Sequence, residues 1–192
     1  PGFGGSCFKK DILNLVYLSK YFNLPEVANF WEGVVKLNNW HQHRISQLIV
    51  KKLFGTVSGK KICILGFAFK ANTNDTRESA AISICKDLLE EGAILNIHDS
   101  KVEPTQISND LEMISGSEKN IPSLTNKEGE WFFVKDIEEA IDGTDAVLVL
   151  TEWTEYSQID WDKAEKTMRK PAWIFDARSI LDVNKIKSCK LN

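Results

Sequence analysis

A cysteine follows a glycine-rich stretch near the start of the chain, in the sequence GFGGSCFKKD at residues 2–11. The apolar spacing after it predicts a helix that begins at Phe8, which puts Cys7 at the helix N-terminus. Exposed amides and the helix dipole at such a position stabilise a thiolate. Asp11 follows one turn later on the same helical face, where its carboxylate could orient water or accept a proton. The pattern predicts a nucleophilic thiol; the alternative is an inert thiol in a glycine turn beside a solvated carboxylate.

A second glycine turn, GFAFK at residues 66–70, follows an apolar run, and NDTRES at residues 74–79 opens a predicted helix. A turn between a strand and a helix N-terminus is a geometry that binds phosphate. The sequence is neither GxGxxG nor a P-loop, so by itself it identifies no dinucleotide site. Lys70 and Arg77 supply positive charge here. The alternative is that Lys70 is a solvated loop charge and that Arg77 pairs with a nearby carboxylate.

Arg178 is a third cation, and it follows the last predicted strand in the sequence FDAR at residues 175–178. Its planar guanidinium suits a diphosphate or a sugar hydroxyl. Three cations at one edge of a sheet indicate a doubly charged ligand, such as a nucleotide diphosphate.

Long helical segments precede the second turn and must position the cysteine. Helical spacing extends over residues 8–22 and, after a break that ends at Pro25, over residues 26–54. The second helix is longer than a small domain needs and carries aromatic side chains. We therefore expect it to link two domains and to form a dimer face. The alternative is one core helix of a single domain.

The pattern of apolar residues changes over residues 60–192, where short, almost continuously apolar runs alternate with runs of helical spacing. Predicted strands occupy residues 61–66, 93–99, 131–134, 145–151 and 172–176, and predicted helices occupy 76–91, 103–113, 137–141 and 160–168, with a polar loop over 115–129. This alternation favours an α/β fold with a doubly wound, mostly parallel Rossmann-like sheet. Ligands of such sheets bind at the carboxyl ends of the strands. Residues 66–75, Asp99, 151–153 and 176–178 fall at those ends.

Composition narrows the classes of function. The chain has 192 residues, of which 43% are apolar, and a net charge of −3 without a basic block or an apolar run long enough for a membrane span. We therefore expect neither a nucleic acid nor a membrane partner. The four cysteines and three histidines have no metal-ligand spacing, so no metal site is predicted. Cys63 and Cys85 are expected to be buried free thiols, as in a reducing cytoplasm, and Cys189 lies in an uninformative tail.

Three motifs in order, GFGGSCFKKD, LNNW at residues 37–40 and GFAFKANTNDTRES at residues 66–79, resemble the UDP-glucose/GDP-mannose dehydrogenase family and its UDP-glucose branch in particular. The resemblance extends from Pro1 to about Asp182, and the length and order of the motifs make it specific. It implies an oxidoreductase that converts UDP-glucose to UDP-glucuronate in two NAD-dependent steps. It also implies a homo-oligomer, at least a dimer through the long helix.

The resemblance further implies a division of the chain. Residues 1–58 would carry the catalytic cysteine loop and the central helical, dimerisation segment, and residues 59–192 the C-terminal UDP-sugar-binding domain. The family's N-terminal NAD-binding domain, with its nucleotide fingerprint and its catalytic lysine and glutamate, has no counterpart here. We therefore expect residues 1–192 to be inactive on their own.

Single residues receive roles by the same resemblance. Cys7 would attack the C6 aldehyde to form a thiohemiacetal and then a thioester, and Asp11 would activate the water that hydrolyses it. The implied substrate contacts are Gly2, Phe3, Gly4, Phe69, Lys70 and Arg178, and the implied NAD contacts are Cys7, Phe8, Lys9, Lys10 and Arg77. The chain departs from the branch at Lys9, where glutamine is common, and at Ala71-Asn72, where Lys-Asp is common. We expect both changes to tune affinity.

Two alternatives stay open at this point. One is a sister dehydrogenase that acts on another nucleotide sugar, of the UDP-N-acetylglucosamine or GDP-mannose type. The other is a nucleotide-sugar-binding or dimerisation module without chemistry. Ligand preference separates the first from the UDP-glucose branch, and the reactivity of Cys7 separates the second from an enzyme.

Overall fold

The computed structural model describes residues 1–113, 115–116 and 129–192. Two helices come first, α1 (Phe8–Tyr21) and α2 (Pro25–Lys52), and they pack against each other. Pro25 occupies the first turn of α2, where its fixed φ suits a helix and its missing N–H is not needed. The 28-residue α2 confirms the predicted long helix. No helix within the described ranges is long and apolar enough to cross a lipid bilayer.

An α/β part follows. Its strands are β1 (Lys61–Leu65), β2 (Ile94–His98), β3 (Glu130–Phe133), β4 (Ala146–Val149) and β5 (Trp173–Asp176), and its helices are α3 (Ala80–Glu90), α4 (Pro104–Leu111), α5 (Ile137–Ile141), α6 (Trp161–Thr167) and α7 (Val183–Ser188). All strands pair in parallel in the order β3-β2-β1-β4-β5. This is the predicted doubly wound sheet.

The sequence patterns predicted neither the 3-10 helix at Thr154–Gln158 nor α7. The polar loop predicted over 115–129 lies outside the described residues except at 115, 116 and 129.

Helices cover both faces of the sheet. Strand side chains alternate between the faces, so Ile62 and Ile64 of β1 face one layer while Cys63 and Leu65 face the other. Burial on both faces explains why the strands read as continuously apolar. The helical side chains that complete the two layers include Ile49, Ile84 and Ile107 from α2, α3 and α4 on one face and Ile141, Trp161 and Ile186 from α5, α6 and α7 on the other. The C-terminal turns of α2 therefore belong to the core of the α/β part.

The predicted start of α3 at Thr76 is wrong, because the helix begins four residues later, at Ala80. Glu78 has a φ of +54°, outside the helical region, so the chain cannot enter the helix before it. Ser79 is the N-cap, and its hydroxyl accepts a hydrogen bond from an amide of the first turn. The segment before α3 is an irregular turn. We call residues 66–79 the β1–α3 turn.

A buried carboxylate at the end of β2 holds the start of this turn. Asp99 is 5% exposed. Its two oxygens accept hydrogen bonds from the N–H groups of Phe67, Ala68, Lys101 and Val102 and from the indole of Trp153. The sequence placed Asp99 at the ligand edge, but these bonds and its burial leave it little surface to offer a ligand. Its carboxylate satisfies buried donors that would be costly to leave unpaired.

Asp99→Ala should lower the free energy of unfolding by about 3 kcal/mol or more, because each buried donor left without an acceptor costs about 1–3 kcal/mol. Urea unfolding followed by circular dichroism measures the loss. Asp142→Ala, which removes an exposed carboxylate next to α5, is the control and should change stability by less than about 0.5 kcal/mol. Equal effects of the two substitutions would contradict the role given to Asp99.

Candidate functional site

Cys7 lies at the N-terminus of α1, as predicted, and is exposed. Its carbonyl accepts a helical hydrogen bond from the Asp11 N–H at 2.8 Å. The Ser6 hydroxyl oxygen lies 3.6 Å from the sulfur, which gives the thiol a polar neighbour. Asp11 is exposed one turn further along α1. We call residues 2–7 the cysteine loop; its thiol is accessible and lies beside helix amides that attract negative charge.

The cysteine loop is docked on the β1–α3 turn through its backbone. The Gly5 N–H donates to the Arg77 carbonyl at 2.8 Å. A Cβ at Gly4 would lie 2.3 Å from the Glu78 carbonyl oxygen, and a Cβ at Gly5 would lie 2.8 Å from an aromatic ring carbon. Gly5 also has a φ of +84°, where other residues are strained. Only glycine at both positions lets the two backbones approach so closely.

That aromatic ring belongs to Phe69, which connects the loop to two cations. The Lys70 ammonium lies 5.3 Å from the ring centre, and Lys70 is exposed. The Phe69 carbonyl accepts a hydrogen bond from Arg178 at 2.8 Å. These groups follow β1 and β5, on either side of β4, at the carboxyl edge of the sheet where the strand order reverses. Ligands of doubly wound sheets bind at this position.

Arg178 is held from one side, with 20% of its side chain exposed. Nε donates to the Leu150 carbonyl at 2.7 Å, and Nη2 donates to the Phe69 carbonyl. The Glu152 carboxylate lies 3.2 Å from Nε and also accepts from the Ala71 N–H at 3.3 Å. Among the described residues, no acceptor contacts Nη1, so that side of the guanidinium remains for a ligand. The sequence did not single out Glu152, although an acid directly after a strand at this edge was the available signal.

Arg77 pairs with Asp75 through two hydrogen bonds of 3.0 and 2.8 Å, as the alternative reading of the turn predicted. The hydrogen bond from Arg77 lowers the pKa of the Asp75 carboxyl. Asp75 in turn raises the pKa of Arg77, with a smaller electrostatic contribution from nearby Cys7. Of the three predicted cations, Arg77 and Arg178 have carboxylate partners, whereas Lys70 has none among the described residues. The free positive charge at this edge is thus smaller than the sequence indicated.

The amides of the β1–α3 turn are less available than predicted. Eight of its N–H groups already donate within the chain. Those of Phe67 and Ala68 donate to Asp99, that of Phe69 to the Asp75 carbonyl and that of Ala71 to Glu152. The other four are those of Gly66, Asp75, Arg77 and Ser79. The expectation that turn amides would bind phosphate is therefore wrong for these eight. A phosphate at this edge would therefore have to be contacted mainly by side chains.

The remaining predicted contacts lie around Cys7. The Phe3 and Phe8 rings meet edge to face at 4.8 Å, and Phe8 is exposed, as is Lys10. The Lys9 ammonium pairs with the Glu78 carboxylate of the β1–α3 turn at 2.6 Å. Gly2 and Phe3 lie against Asn38 of α2, a residue that the sequence marked only as part of a motif.

A separate groove of about 570 Å³ between α5 and α6 contains none of these residues. Its carboxylates are Asp136, Glu138, Glu139, Asp142, Glu155 and Asp160, accompanied by one lysine. Such a surplus of negative charge repels phosphate, so we assign no nucleotide to it. Within the described ranges, no group of three His, Cys, Asp or Glu side chains is placed to bind a metal ion.

The other thiols differ from Cys7. Cys63 of β1 and Cys85 of α3 are fully buried, as predicted, and burial raises the pKa of both. Cys189 is also buried and donates to an Asp162 oxygen at 3.3 Å. Burial raises the pKa of Cys189 too. Cys7 is the exposed thiol of the four.

The chain is similar to enzymes of known family. Residues 63–183 match the UDP-glucose/GDP-mannose dehydrogenase family, UDP binding domain. The UDP-glucose 6-dehydrogenase of Drosophila melanogaster is 50% identical over 186 residues, which cover 97% of this chain and 38% of that enzyme. The UDP-glucose 6-dehydrogenase of Caenorhabditis elegans is 46% identical over 181 residues, which cover 94% of this chain and 36% of that enzyme. The chain thus spans little more than a third of these relatives.

Solved structures agree with the fold. A UDP-glucose dehydrogenase from the hyperthermophilic archaeon Pyrobaculum islandicum aligns with a TM-score of 0.70 and 26% identity, over 96% of this chain and 36% of that one. A GDP-mannose dehydrogenase from Pseudomonas aeruginosa aligns with a TM-score of 0.66 over 94% of this chain and 37% of that one. Its identity of 21% limits the likeness to the fold.

Labelling of the thiols in the native protein should find one cysteine that reacts much faster than the others. At pH 8, iodoacetamide should modify Cys7 about 100-fold faster than Cys63 or Cys85, because exposure and thiolate character control the reaction. Mass spectrometry of timed digests measures the rates, and labelling in urea, where the difference should vanish, is the control. Comparable native rates at all four cysteines would contradict the assignment.

Proposed function

The chain belongs to the UDP-glucose/GDP-mannose dehydrogenase family, and from this premise we propose that it forms the C-terminal part of a UDP-glucose 6-dehydrogenase. One observation carries the proposal: the loop with the exposed Cys7 thiol is docked on the turn that carries Lys70 and contacts Arg178. A nucleophile and a phosphate-binding edge thus belong to one site. The identity of 50% to the Drosophila enzyme supports UDP-glucose as the substrate.

The UDP moiety binds, in this proposal, at the α/β part, residues 59–192. Lys70 and the free Nη1 side of Arg178 contact the diphosphate, because one is an unpaired cation and the other presents unused N–H donors. Gly2, Phe3, Gly4 and Phe69 line the sugar. Residues 1–58 supply the cysteine loop and the central helix.

Cys7 and Asp11 perform the covalent chemistry. The Cys7 sulfur adds to the C6 aldehyde that the first oxidation produces, and the thiol proton passes to the aldehyde oxygen, which gives a thiohemiacetal. Loss of a hydride from C6 and a proton from its hydroxyl leaves a thioester. Asp11, exposed one turn away, accepts a proton from the water that attacks the thioester, which releases the carboxylate and restores the thiol. Covalent capture keeps the aldehyde in the site between the two oxidations.

The residues near Cys7 fit the edge of a dinucleotide. The exposed Lys10 places positive charge at the start of α1, and Arg77, although paired with Asp75, keeps 69% of its side chain exposed. Residues Cys7 to Lys10 and Arg77 would hold NAD, whose chemistry when bound is to accept the hydride of each oxidation. The catalytic lysine and glutamate of the family have no counterpart in residues 1–192, so we expect these residues alone not to reduce NAD. Four unpaired cysteines favour a cytoplasmic location.

A thermal-shift series with UDP, UDP-glucose, UDP-N-acetylglucosamine and GDP-mannose tests the ligand. UDP and UDP-glucose at 100 times their dissociation constants should each add about 2.7 kcal/mol to stability, and GDP-mannose should add little. Lys70→Ala should weaken UDP binding about tenfold or more, because a hydrogen bond to a charged group contributes about 1.5–3 kcal/mol. Lys166→Ala on α6 is the control. Stabilisation by GDP-mannose alone would point to a sister dehydrogenase, and no response to any ligand would contradict the phosphate edge.

We also propose a dimer through α2. Within residues 1–113, 115–116 and 129–192, every exposed large apolar side chain except Val183 lies in residues 8–54; those on α2 are Val27, Phe30, Leu37, Trp40 and Leu48. Such a concentration of exposed apolar surface marks an interaction face.

Light scattering at micromolar concentration should find at least a dimer. The double variant Phe30→Glu, Trp40→Glu should dissociate it, because two charges would enter the buried face. Val183→Glu, at a position of similar exposure outside α2, should leave it intact. A monomeric natural protein would contradict the proposal.

A further inference from the structure

Asn38 of α2 holds the backbone of the cysteine loop in both directions. Its Oδ1 accepts a hydrogen bond from the Phe3 N–H at 2.9 Å. Its Nδ2 donates to the Phe3 carbonyl at 3.1 Å. The same backbone unit is therefore recognised through donor and acceptor at once, which fixes its orientation as well as its position.

The fit around Asn38 is close. The residue is only 8% exposed, so its hydrogen bonds compete little with water. A Cβ at Gly2 would collide with the Asn38 Oδ1, and Gly2 has a φ of +88°, which other residues rarely adopt, so glycine suits this close approach. Removing the carboxamide would leave the Phe3 amide and carbonyl without these partners.

Asn38 also begins a row of polar side chains on the buried face of α2. Gln42, one turn further on, accepts a hydrogen bond from the Ser83 hydroxyl of α3 at 2.8 Å. Ser46, after another turn, donates to the Asp87 carboxylate of α3. The row thus ties α2 to the α/β part, while Asn38 ties α2 to the cysteine loop. The cysteine loop and the α/β part are therefore both hydrogen-bonded to α2.

We propose that Asn38 is a positioning residue for Cys7. It contacts neither substrate nor cofactor; it sets the path of the cysteine loop so that the thiol stands at a defined place beside Phe69 and the phosphate edge. The chemical part of this inference rests on the proposed function, whereas the effect on the loop does not. A loop released from Asn38 would keep its Gly5 contact to the β1–α3 turn but lose its second anchor.

The experiment compares Asn38→Ala with Gln42→Ala in the full-length natural protein. Both substitutions remove a buried carboxamide from the same face of α2, so both should reduce stability. Only Asn38→Ala should speed amide exchange in residues 3–9, by about tenfold or more, since it removes two hydrogen bonds of that loop. It should lower kcat by about tenfold or more with KM for UDP-glucose within about twofold, because misplacement acts on the reacting atoms more than on the nucleotide. Gln42→Ala should leave loop exchange and kcat within about twofold.

A second variant separates the two hydrogen bonds of Asn38. Asn38→Asp keeps the acceptor for the Phe3 N–H but places a carboxylate oxygen against the Phe3 carbonyl, which Asn38 Nδ2 contacts at 3.1 Å. Because two oxygens repel each other there, loop exchange should again be faster and kcat lower than in the natural protein. Unchanged loop exchange in Asn38→Ala, or equal effects of Asn38→Ala and Gln42→Ala on the loop, would overturn the proposal. Faster loop exchange in a protein that oxidises no UDP-glucose would support the role of Asn38 in the loop and refute the proposed function instead.

Discussion

The candidate site depends on the close approach of two backbones. The cysteine loop and the β1–α3 turn meet through the Gly5 N–H and the Arg77 carbonyl, and a single added methyl at Gly4 would collide with the Glu78 carbonyl. The contact anchors the backbone two residues before Cys7, and Gly5 lies against the Phe69 ring. Glu78, which follows the Arg77 carbonyl that accepts this bond, has a φ of +54° and precedes the N-cap of α3.

Three carboxylates pair with the amides and the cations of the β1–α3 turn and its surroundings. Asp99 takes two of its amides, Glu152 takes a third and also lies against Arg178, and Asp75 pairs with Arg77. Without them, a turn of free amides and cations would repel itself and leave buried donors unpaired. The consequence is a rigid edge with modest free charge. Preorganised groups of this kind need little rearrangement when a charged ligand arrives.

The helix α2 has two distinct roles along its length. Its C-terminal turns are buried in the core through Ile49, and its polar row contacts the cysteine loop and α3. Its opposite side, together with α1, remains strongly apolar and exposed. One continuous 28-residue helix therefore connects the core of the α/β part, the cysteine loop and the exposed apolar surface.

Local sequence was enough for the elements and for the chemistry of single residues. The period of the apolar side chains predicted α1, α2, the alternation of strands and helices and the position of Cys7 at a helix start. Apart from the local pair of Arg77 and Asp75, which was one of the alternatives, local sequence could not reveal which polar groups are already occupied. Asp99 lies 32 residues from Phe67, Asn38 lies 35 from Phe3, and Arg178 lies 109 from Phe69. Periodicity and turn chemistry reflect neighbours within a few positions, so they determined the helices, the strands and the candidate nucleophile. The tertiary structure alone decided which amides and cations remain free, because a hydrogen bond depends on groups that only the folded chain brings together.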